Sequence, residues 1–150
     1  MMKILDMTAG NRAVWLTKSH HLVDYIDKRE SVKPTFVMDS TKLPKEWKNK
    51  YNLVVLDPPH LNTGKNSNMA KCYGHHTTQE ILDFVKGAGL EAHRVTKKNA
   101  LMALKWNDHD IRLERVFKLL LPKWEPLFGH LTSKNNRSQT FWVMLRRLDL

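Results

Sequence analysis

Four acidic residues follow the first four apolar runs of the chain, and their spacing predicts a ligand-binding site. Each acid ends or closely follows a short run of apolar and β-branched residues; they are Asp6, Asp27, Asp39 and Asp57. Gly10 lies in the loop after the first run. The carboxyl ends of parallel strands share one edge of an open α/β sheet, and ligands bind beyond that edge. A single strand-end acid is often only a helix cap, but four in succession indicate a common binding site.

The segments that carry these acids alternate between strand-like and helix-like patterns, which indicates an α/β sheet. The expected strands are residues 3–7, 21–26, 35–38, 51–56, 100–105, 125–132 and 139–146. The expected helices are residues 12–19, 79–96 and 110–121, with Thr78 as the N-cap of the second. A short polar connection joins the last two strands, so we expect them to pair antiparallel at one edge of the sheet.

Two stretches of this pattern resemble motifs of a known enzyme family. Residues 4–10 read Ile-Leu-Asp-Met-Thr-Ala-Gly, and residues 56–60 read Leu-Asp-Pro-Pro-His. The first resembles the acid-and-glycine loop of class I S-adenosylmethionine-dependent methyltransferases. The second resembles the Asp-Pro-Pro-aromatic motif of amino methyltransferases that modify adenine at N6, in a short, phage-like form. The motifs stand in the unpermuted order, and the resemblance covers almost the whole chain. It implies a Rossmann-like fold: a mostly parallel seven-stranded sheet, an antiparallel C-terminal edge hairpin, and helices on both faces.

The resemblance implies a binding site for S-adenosylmethionine along the first three strand ends. Small residues in the first loop let the backbone approach the methionine part of the donor. The N-terminus of the expected helix 12–19 would meet the donor's carboxylate, together with Arg12. Asp27 would accept hydrogen bonds from two ribose hydroxyls, and Asp39 with Ser40 would contact the adenine. The implied donor-binding residues are Asp6, Thr8, Ala9, Gly10, Asn11, Arg12, Asp27, Asp39 and Ser40.

The implied catalytic residues are Asp57, Pro58, Pro59 and His60. The exocyclic amine of adenine is a poor nucleophile, because its lone pair is delocalised into the ring. The Asp57 carboxylate and the Pro58 carbonyl would hold its two N–H bonds and stabilise the positive charge that grows on the nitrogen. His60 departs from the usual Trp, Tyr or Phe, and an imidazole stacks on a base with less area and a pH-dependent charge. Adenine N6 is the favoured acceptor, while cytosine N4, a guanine amine and a non-nucleic amine such as a protein side chain stay open.

The charge of the chain favours a polyanionic partner. It carries 25 Lys and Arg against 15 Asp and Glu, a net charge of +10, and each phosphate contacted would release condensed counterions. We expect a DNA or RNA substrate, whose base must be flipped out if it is paired. The residues expected to bind it are Lys65, Tyr73, Lys105, Trp106, Lys134 and Arg137. A homodimer, a partner subunit for target recognition, and a binding subunit that needs a partner for activity all stay open.

Composition excludes several other classes. Cys72 is the only cysteine, so an internal disulfide is excluded and a reducing, cytoplasmic setting is expected. The histidine pairs lack the i, i+4 spacing of a metal site, and we expect no metal. No apolar stretch approaches the roughly 20 residues of a membrane span. We expect no signal peptide, because Asp6 comes too early for an apolar core. We expect residues 1–150 to form a single methyltransferase domain.

Overall fold

The computed structural model describes residues 1–60, 76–134 and 138–149, in which seven strands form one mixed sheet. The strands are β1 (Ile4–Asp6), β2 (Val23–Asp27), β3 (Phe36–Val37), β4 (Tyr51–Leu56), β5 (Thr96–Asn107), β6 (Trp124–Lys134) and β7 (Gln139–Arg147). Their order in the sheet is β3-β2-β1-β4-β5-β7-β6. The first five pair in parallel, and β7 runs antiparallel to both β5 and β6. The expected strands are thus present, and the antiparallel hairpin at the edge is confirmed.

The strand order reverses between β1 and β4. From β1 the chain adds β2 and β3 on one side, and it then returns to place β4 and β5 on the other side. In parallel sheets such a reversal opens a crevice at the carboxyl ends of the two central strands. Asp6 ends β1 and Asp57 follows β4, so the topology brings the ends of these two strands to the same crevice.

The helix after β4, α1 (Thr78–Val95), begins with a capping box. The Thr77 hydroxyl accepts a hydrogen bond from the Glu80 N–H (3.2 Å), and the Thr77 N–H donates to the Glu80 carboxylate (2.7 Å). The cap is therefore Thr77 rather than the predicted Thr78, because only Thr77 has a glutamate three residues later. Within this helix Gly89 allows Leu120 to pack closely, since a Cβ at Gly89 would lie 2.5 Å from Leu120 Cδ2.

A shorter helix, α2 (Leu113–Leu120), follows β5 and contacts α1. It begins three residues later than the pattern predicted. Among the described helices, none combines the length and apolar character needed to span a membrane.

The two faces of the sheet are covered differently. Alternate residues such as Leu5 and Val54 pack into a large core with both α-helices, whereas Ile4 and Val55 pack into a smaller cluster on the opposite face. Residues of the segment 11–22, including Trp15, cover this second cluster.

The helix predicted at 12–19 is absent, and this segment forms turns and bends instead. Arg12 adopts a left-handed conformation with φ 57°, which a right-handed helix does not allow. The Trp15 indole N–H donates to the buried Asp6 carboxylate at 2.7 Å and ties the segment to the sheet.

Candidate active site

A cleft of about 830 Å³ opens at the carboxyl ends of β1, β2 and β4, a size typical of small-molecule sites. Four parts of the chain line it. They are the loop after β1, the region after β2 and β3, the end of β4 with the first turns of α1, and the end of β5. The lining residues include Thr8, Ala9, Gly10, Asn11, Asp27, Lys28, Arg29, Met38, Ser40, Asp57, Pro58, Pro59, His60, Glu80, Ile81, Phe84 and Lys105.

The loop after β1 is tied directly to the end of β4. The Thr8 hydroxyl accepts a hydrogen bond from the Asp57 N–H at 2.7 Å. Gly10 takes a positive φ of 48°, a conformation that favours glycine because it has no Cβ. One hydrogen bond thus fixes the acid-and-glycine loop against the Asp-Pro-Pro segment.

Asp6 lies beneath this loop rather than in the cleft. It is 1% exposed, and its two oxygens accept hydrogen bonds from the Thr8 N–H (3.0 Å) and the Trp15 indole (2.7 Å). Burial raises the pKa of Asp6 to about 6, although these two bonds act in the opposite direction. Asp6 therefore shapes the loop from below.

The Asp27 carboxylate is fully engaged by two neighbours. One oxygen accepts from the Gly10 N–H (3.0 Å) and from Arg29 Nη2 (3.2 Å), and the other accepts from the Arg29 N–H (2.8 Å) and Nε (3.0 Å). Burial alone would raise the pKa of Asp27, but the bonds from Arg29 and Gly10 outweigh it and hold that pKa below its usual value. Arg29 was not anticipated from the sequence, although its position two residues after the acid was a usable signal.

Of the pair Asp39 and Ser40, only Ser40 lines the cleft. Its hydroxyl donates to the Met7 carbonyl. Asp39 instead accepts from the Thr41 N–H (2.9 Å) and hydroxyl (2.7 Å) and pairs with Lys28 Nζ at 3.2 Å. Burial would raise the pKa of Asp39, but these contacts lower it overall. Asp39 therefore stabilises the turn that positions Ser40.

Arg12 does not reach the cleft, which corrects the expectation that it binds a donor carboxylate. Its guanidinium donates to the carbonyls of Lys18 (2.6 Å) and Lys33 (2.7 Å) and lies 4.1 Å from the centre of the Tyr25 ring. The expected helix N-terminus is also absent, so neither predicted contact to that carboxylate exists. Among the described residues, the Lys and Arg side chains that do line the cleft are Lys28, Arg29 and Lys105.

At the other end of the cleft, Asp57 and Lys105 form an ion pair. Lys105 Nζ lies 3.4 Å from Asp57 Oδ2, and the two side chains are 31% and 25% exposed. Burial raises the pKa of Asp57, while the charges of Lys105 and His60 oppose that rise. The positive charge of Lys105 thus stabilises the partly buried Asp57 carboxylate, which is a hydrogen-bond acceptor.

His60 closes this end of the cleft. Its Nδ1 lies 3.3 Å from the Pro58 carbonyl oxygen, and its ring meets Trp106 edge-to-face with centroids 6.1 Å apart. Burial lowers the pKa of His60, although the nearby Asp57 carboxylate acts in the opposite direction. The lowered pKa favours the neutral ring at neutral pH. A carbonyl oxygen has two lone pairs, so Pro58 retains one for a ligand.

Trp106 does not line the cleft, which corrects the expectation that it binds the substrate. Trp106 is fully buried, and its indole N–H donates to the Ile111 carbonyl at 2.8 Å. It belongs to the core, and its ring meets the His60 ring edge-to-face.

Lys134 lies exposed at the end of β6, on the same edge of the sheet as the cleft. The start of β7 is fastened to this edge because Asn107 donates to the hydroxyls of Ser138 (3.3 Å) and Thr140 (2.9 Å). Three further residues predicted to bind substrate lie outside the described residues: Lys65, Tyr73 and Arg137. In the described ranges, no group of three or more His, Cys, Asp or Glu is arranged to hold a metal ion.

Comparison with known proteins identifies the fold. Neither a protein-family model nor a curated protein sequence matches the chain. Solved structures do match. PH0226 from Pyrococcus horikoshii OT3 superposes with a TM-score of 0.70 at 10% identity, over 97% of this chain and 82% of that one. The N-methyltransferase NodS from Bradyrhizobium japonicum WM9, in complex with S-adenosyl-L-homocysteine, gives 0.68 at 9% identity, over 99% and 79%.

A third match is the T. thermophilus 16S rRNA N2 methyltransferase RsmC, in complex with AdoMet and guanosine. Its TM-score is 0.62 at 14% identity, over 99% of this chain but only 36% of RsmC. At such low identities the likeness shows the fold alone. The chain has the Rossmann-like fold of class I methyltransferases.

Proposed function

We propose that residues 1–150 form a single methyltransferase domain that uses S-adenosylmethionine to methylate an exocyclic amine of a nucleobase. Adenine N6 in DNA or RNA is the first proposed target. One observation carries the proposal: the acid-and-glycine loop and Asp57-Pro58-Pro59-His60 line the same cleft, and the bond from the Asp57 N–H to Thr8 joins them. A donor pocket next to an amine-binding motif is the arrangement that transfer between two bound molecules requires.

The residues of the cleft fit the donor. The loop from Thr8 to Gly10 has only small side chains beside the proposed methionine site, and Ser40 lies beside the proposed adenine site. Asp27 has the right chemistry for ribose hydroxyls, on condition that Arg29 releases part of the carboxylate. The donor would supply an activated methyl group on its sulfonium, and the chain's contribution is to position the acceptor amine.

Two acceptors of the chain would hold that amine. Asp57 presents a partly buried carboxylate and Pro58 presents a carbonyl oxygen, and both border the cleft. Because neither proline has an N–H, the segment exposes acceptors without a competing backbone donor. Acceptors fixed in advance around a nitrogen that gains positive charge stabilise the transition state.

Guanine N2 is the second candidate target. RsmC, which shares the fold, is an rRNA N2 methyltransferase that was crystallised with guanosine. A carboxylate such as that of Asp57 can accept from two adjacent N–H groups, which suits the amine and the neighbouring ring N–H of guanine.

Mass spectrometry of nucleosides tests the proposal. DNA and RNA are isolated from cells that lack N6-adenine DNA methylation and that express the wild type, Asp57→Asn or Asp83→Asn. We expect N6-methyladenine with the wild type and a loss of about 100-fold or more with Asp57→Asn. Asp83 is an exposed acid on α1, so Asp83→Asn should keep the wild-type level.

Two outcomes would contradict the proposal. A wild type that methylates no nucleoside would exclude a nucleic acid acceptor. Full activity of Asp57→Asn would exclude the proposed active site. Binding of S-adenosylhomocysteine to purified Asp57→Asn checks that the donor pocket, and therefore the fold, is intact in the variant.

A further inference from the structure

Lys105 lies beside Asp57 because of the register between two parallel strands. Leu56 of β4 is paired with Leu104 of β5, so the residues that follow them stand next to each other at the edge of the sheet. Their side chains meet with Lys105 Nζ 3.4 Å from Asp57 Oδ2, and both line the cleft. The backbone of the sheet thus sets the spacing between this ammonium group and this carboxylate.

The pair presents a hydrogen-bond acceptor and a hydrogen-bond donor side by side. A carboxylate only accepts, whereas a lysine ammonium carries three N–H donors. One of the three is directed to Asp57, which leaves Lys105 able to donate to a second group in the cleft. The pair lines the cleft rather than the core, so we explain its position by ligand recognition.

This arrangement matches the Watson–Crick edge of adenine and of cytosine. In adenine the exocyclic N6 amine, a donor, stands next to ring nitrogen N1, an acceptor, and cytosine N4 and N3 form the same pattern. A protein lysine amine has no such neighbouring acceptor. Enzymes that act on a flipped base read it through hydrogen bonds to this Watson–Crick edge.

We propose that Lys105 determines specificity by donating a hydrogen bond to the ring nitrogen beside the methylated amine, while Asp57 accepts from the amine itself. This inference rests on the proposed function and narrows its substrate class. The acceptors it selects are amines beside an unprotonated ring nitrogen, such as adenine N6 and cytosine N4, in preference to isolated amines.

The test removes the ring nitrogen and the lysine separately. Methyl transfer is measured on short oligonucleotides of degenerate sequence that contain either adenine or 1-deazaadenine, in which N1 is replaced by C–H. A matched pair with cytosine and 3-deazacytosine covers the other base. We expect the wild type to be about 10- to 100-fold slower on the deaza substrate, the loss of one hydrogen bond to a charged group. Lys105→Met should be slow on both substrates and should lose this discrimination.

For each protein, the discrimination is the rate on the adenine substrate divided by the rate on the 1-deazaadenine substrate. The decisive quantity is the discrimination of the wild type divided by that of Lys105→Met. Any difference in intrinsic reactivity between adenine and 1-deazaadenine affects both proteins equally and cancels in this ratio. Lys98→Met is the matched control, since Lys98 is an exposed lysine near the other end of β5, and it should discriminate as the wild type does. Lys105→Gln is measured in parallel, and S-adenosylhomocysteine binding reports whether each variant is folded.

The outcomes separate the two proposals. If Lys105→Met and Lys105→Gln discriminate as strongly as the wild type, or if the wild type does not discriminate, Lys105 does not contact the ring nitrogen and the inference is wrong. Methyl transfer itself would then still stand. If the wild type methylates none of the oligonucleotides, the proposed function fails instead.

Discussion

At the Asp27 carboxylate, the protein itself fills the positions that a ribose would need. A carboxylate offers about four lone-pair sites, and Gly10 and Arg29 donate four hydrogen bonds to them. Arg29 also lies against the glycine loop, since its Nη2 is 3.4 Å from the place of a Cβ on Gly10. Binding of a nucleoside through Asp27 therefore has to displace the Arg29 guanidinium.

Arg29→Met should strengthen the binding of 5′-methylthioadenosine, a donor fragment that has a ribose but no carboxylate. The substitution frees two acceptor positions on Asp27, and a net hydrogen bond is worth about 0.5–1.5 kcal/mol, which corresponds to roughly 2- to 10-fold in Kd. Isothermal titration calorimetry measures the change. Lys28→Met is the control, because Lys28 also lines the cleft but pairs with Asp39. Weaker binding to Arg29→Met would mean that the guanidinium contacts the nucleoside.

The buried Asp6 predicts a particular pH dependence of stability. Its pKa is raised from 3.8 to about 6 in the folded protein, so between these pH values the folded state holds a proton that the unfolded chain has lost. The free energy of unfolding should therefore fall as the pH rises from about 4 to 6, by roughly 3 kcal/mol from this group, and then level off. Urea denaturation of the wild type and Asp6→Asn across this range measures the contribution, which the variant should lack. Parallel pH profiles for the two proteins would contradict the prediction.

At the scale of elements, the start of α1 decides where the helix side of the cleft lies. Its first turns contribute Glu80, Ile81 and Phe84 to the lining, and the capping box at Thr77 fixes the first turn. Thr77→Ala should lower the free energy of unfolding by about 1 kcal/mol, the usual cost of losing an N-cap. Chemical denaturation measures this loss. Thr78→Ala is the matched control and should change stability by much less, and equal effects of the two variants would argue against the assigned cap.

At the scale of the whole molecule, the proposed binding of nucleic acid depends on the basic residues that lie at the cleft edge of the sheet. Lys134 stands at the cleft edge of the sheet, whereas Lys98 lies near the opposite end of β5. Binding of a fluorescent oligonucleotide should weaken linearly on a logarithmic salt scale. Lys134→Gln should reduce the slope by about 1, the effect of one lost phosphate contact, and Lys98→Gln should leave the slope unchanged. Anisotropy titrations at several salt concentrations measure both slopes. If Lys98→Gln reduces the slope and Lys134→Gln does not, the nucleic acid binds elsewhere.

The sequence by itself determined the strand pattern and the set of strand-end residues that meet in the cleft. These follow from local rules: apolar runs form strands, prolines end them, and the carboxyl ends of parallel strands share one edge. For this reason the sequence alone assigns Gly10, Asp27 and Asp57 to one site, and in the structure all three line the same cleft.

Only the tertiary structure decided which side chains are available in that cleft. Arg12 donates to the carbonyl of Lys33, and Trp106 to the carbonyl of Ile111, so both are turned away from the positions that local pattern suggested. Arg29 donates hydrogen bonds to the Asp27 carboxylate, and Lys105 donates to the Asp57 carboxylate, 48 residues away in the sequence. Such contacts depend on how separate segments pack, and no local pattern in the chain encodes them.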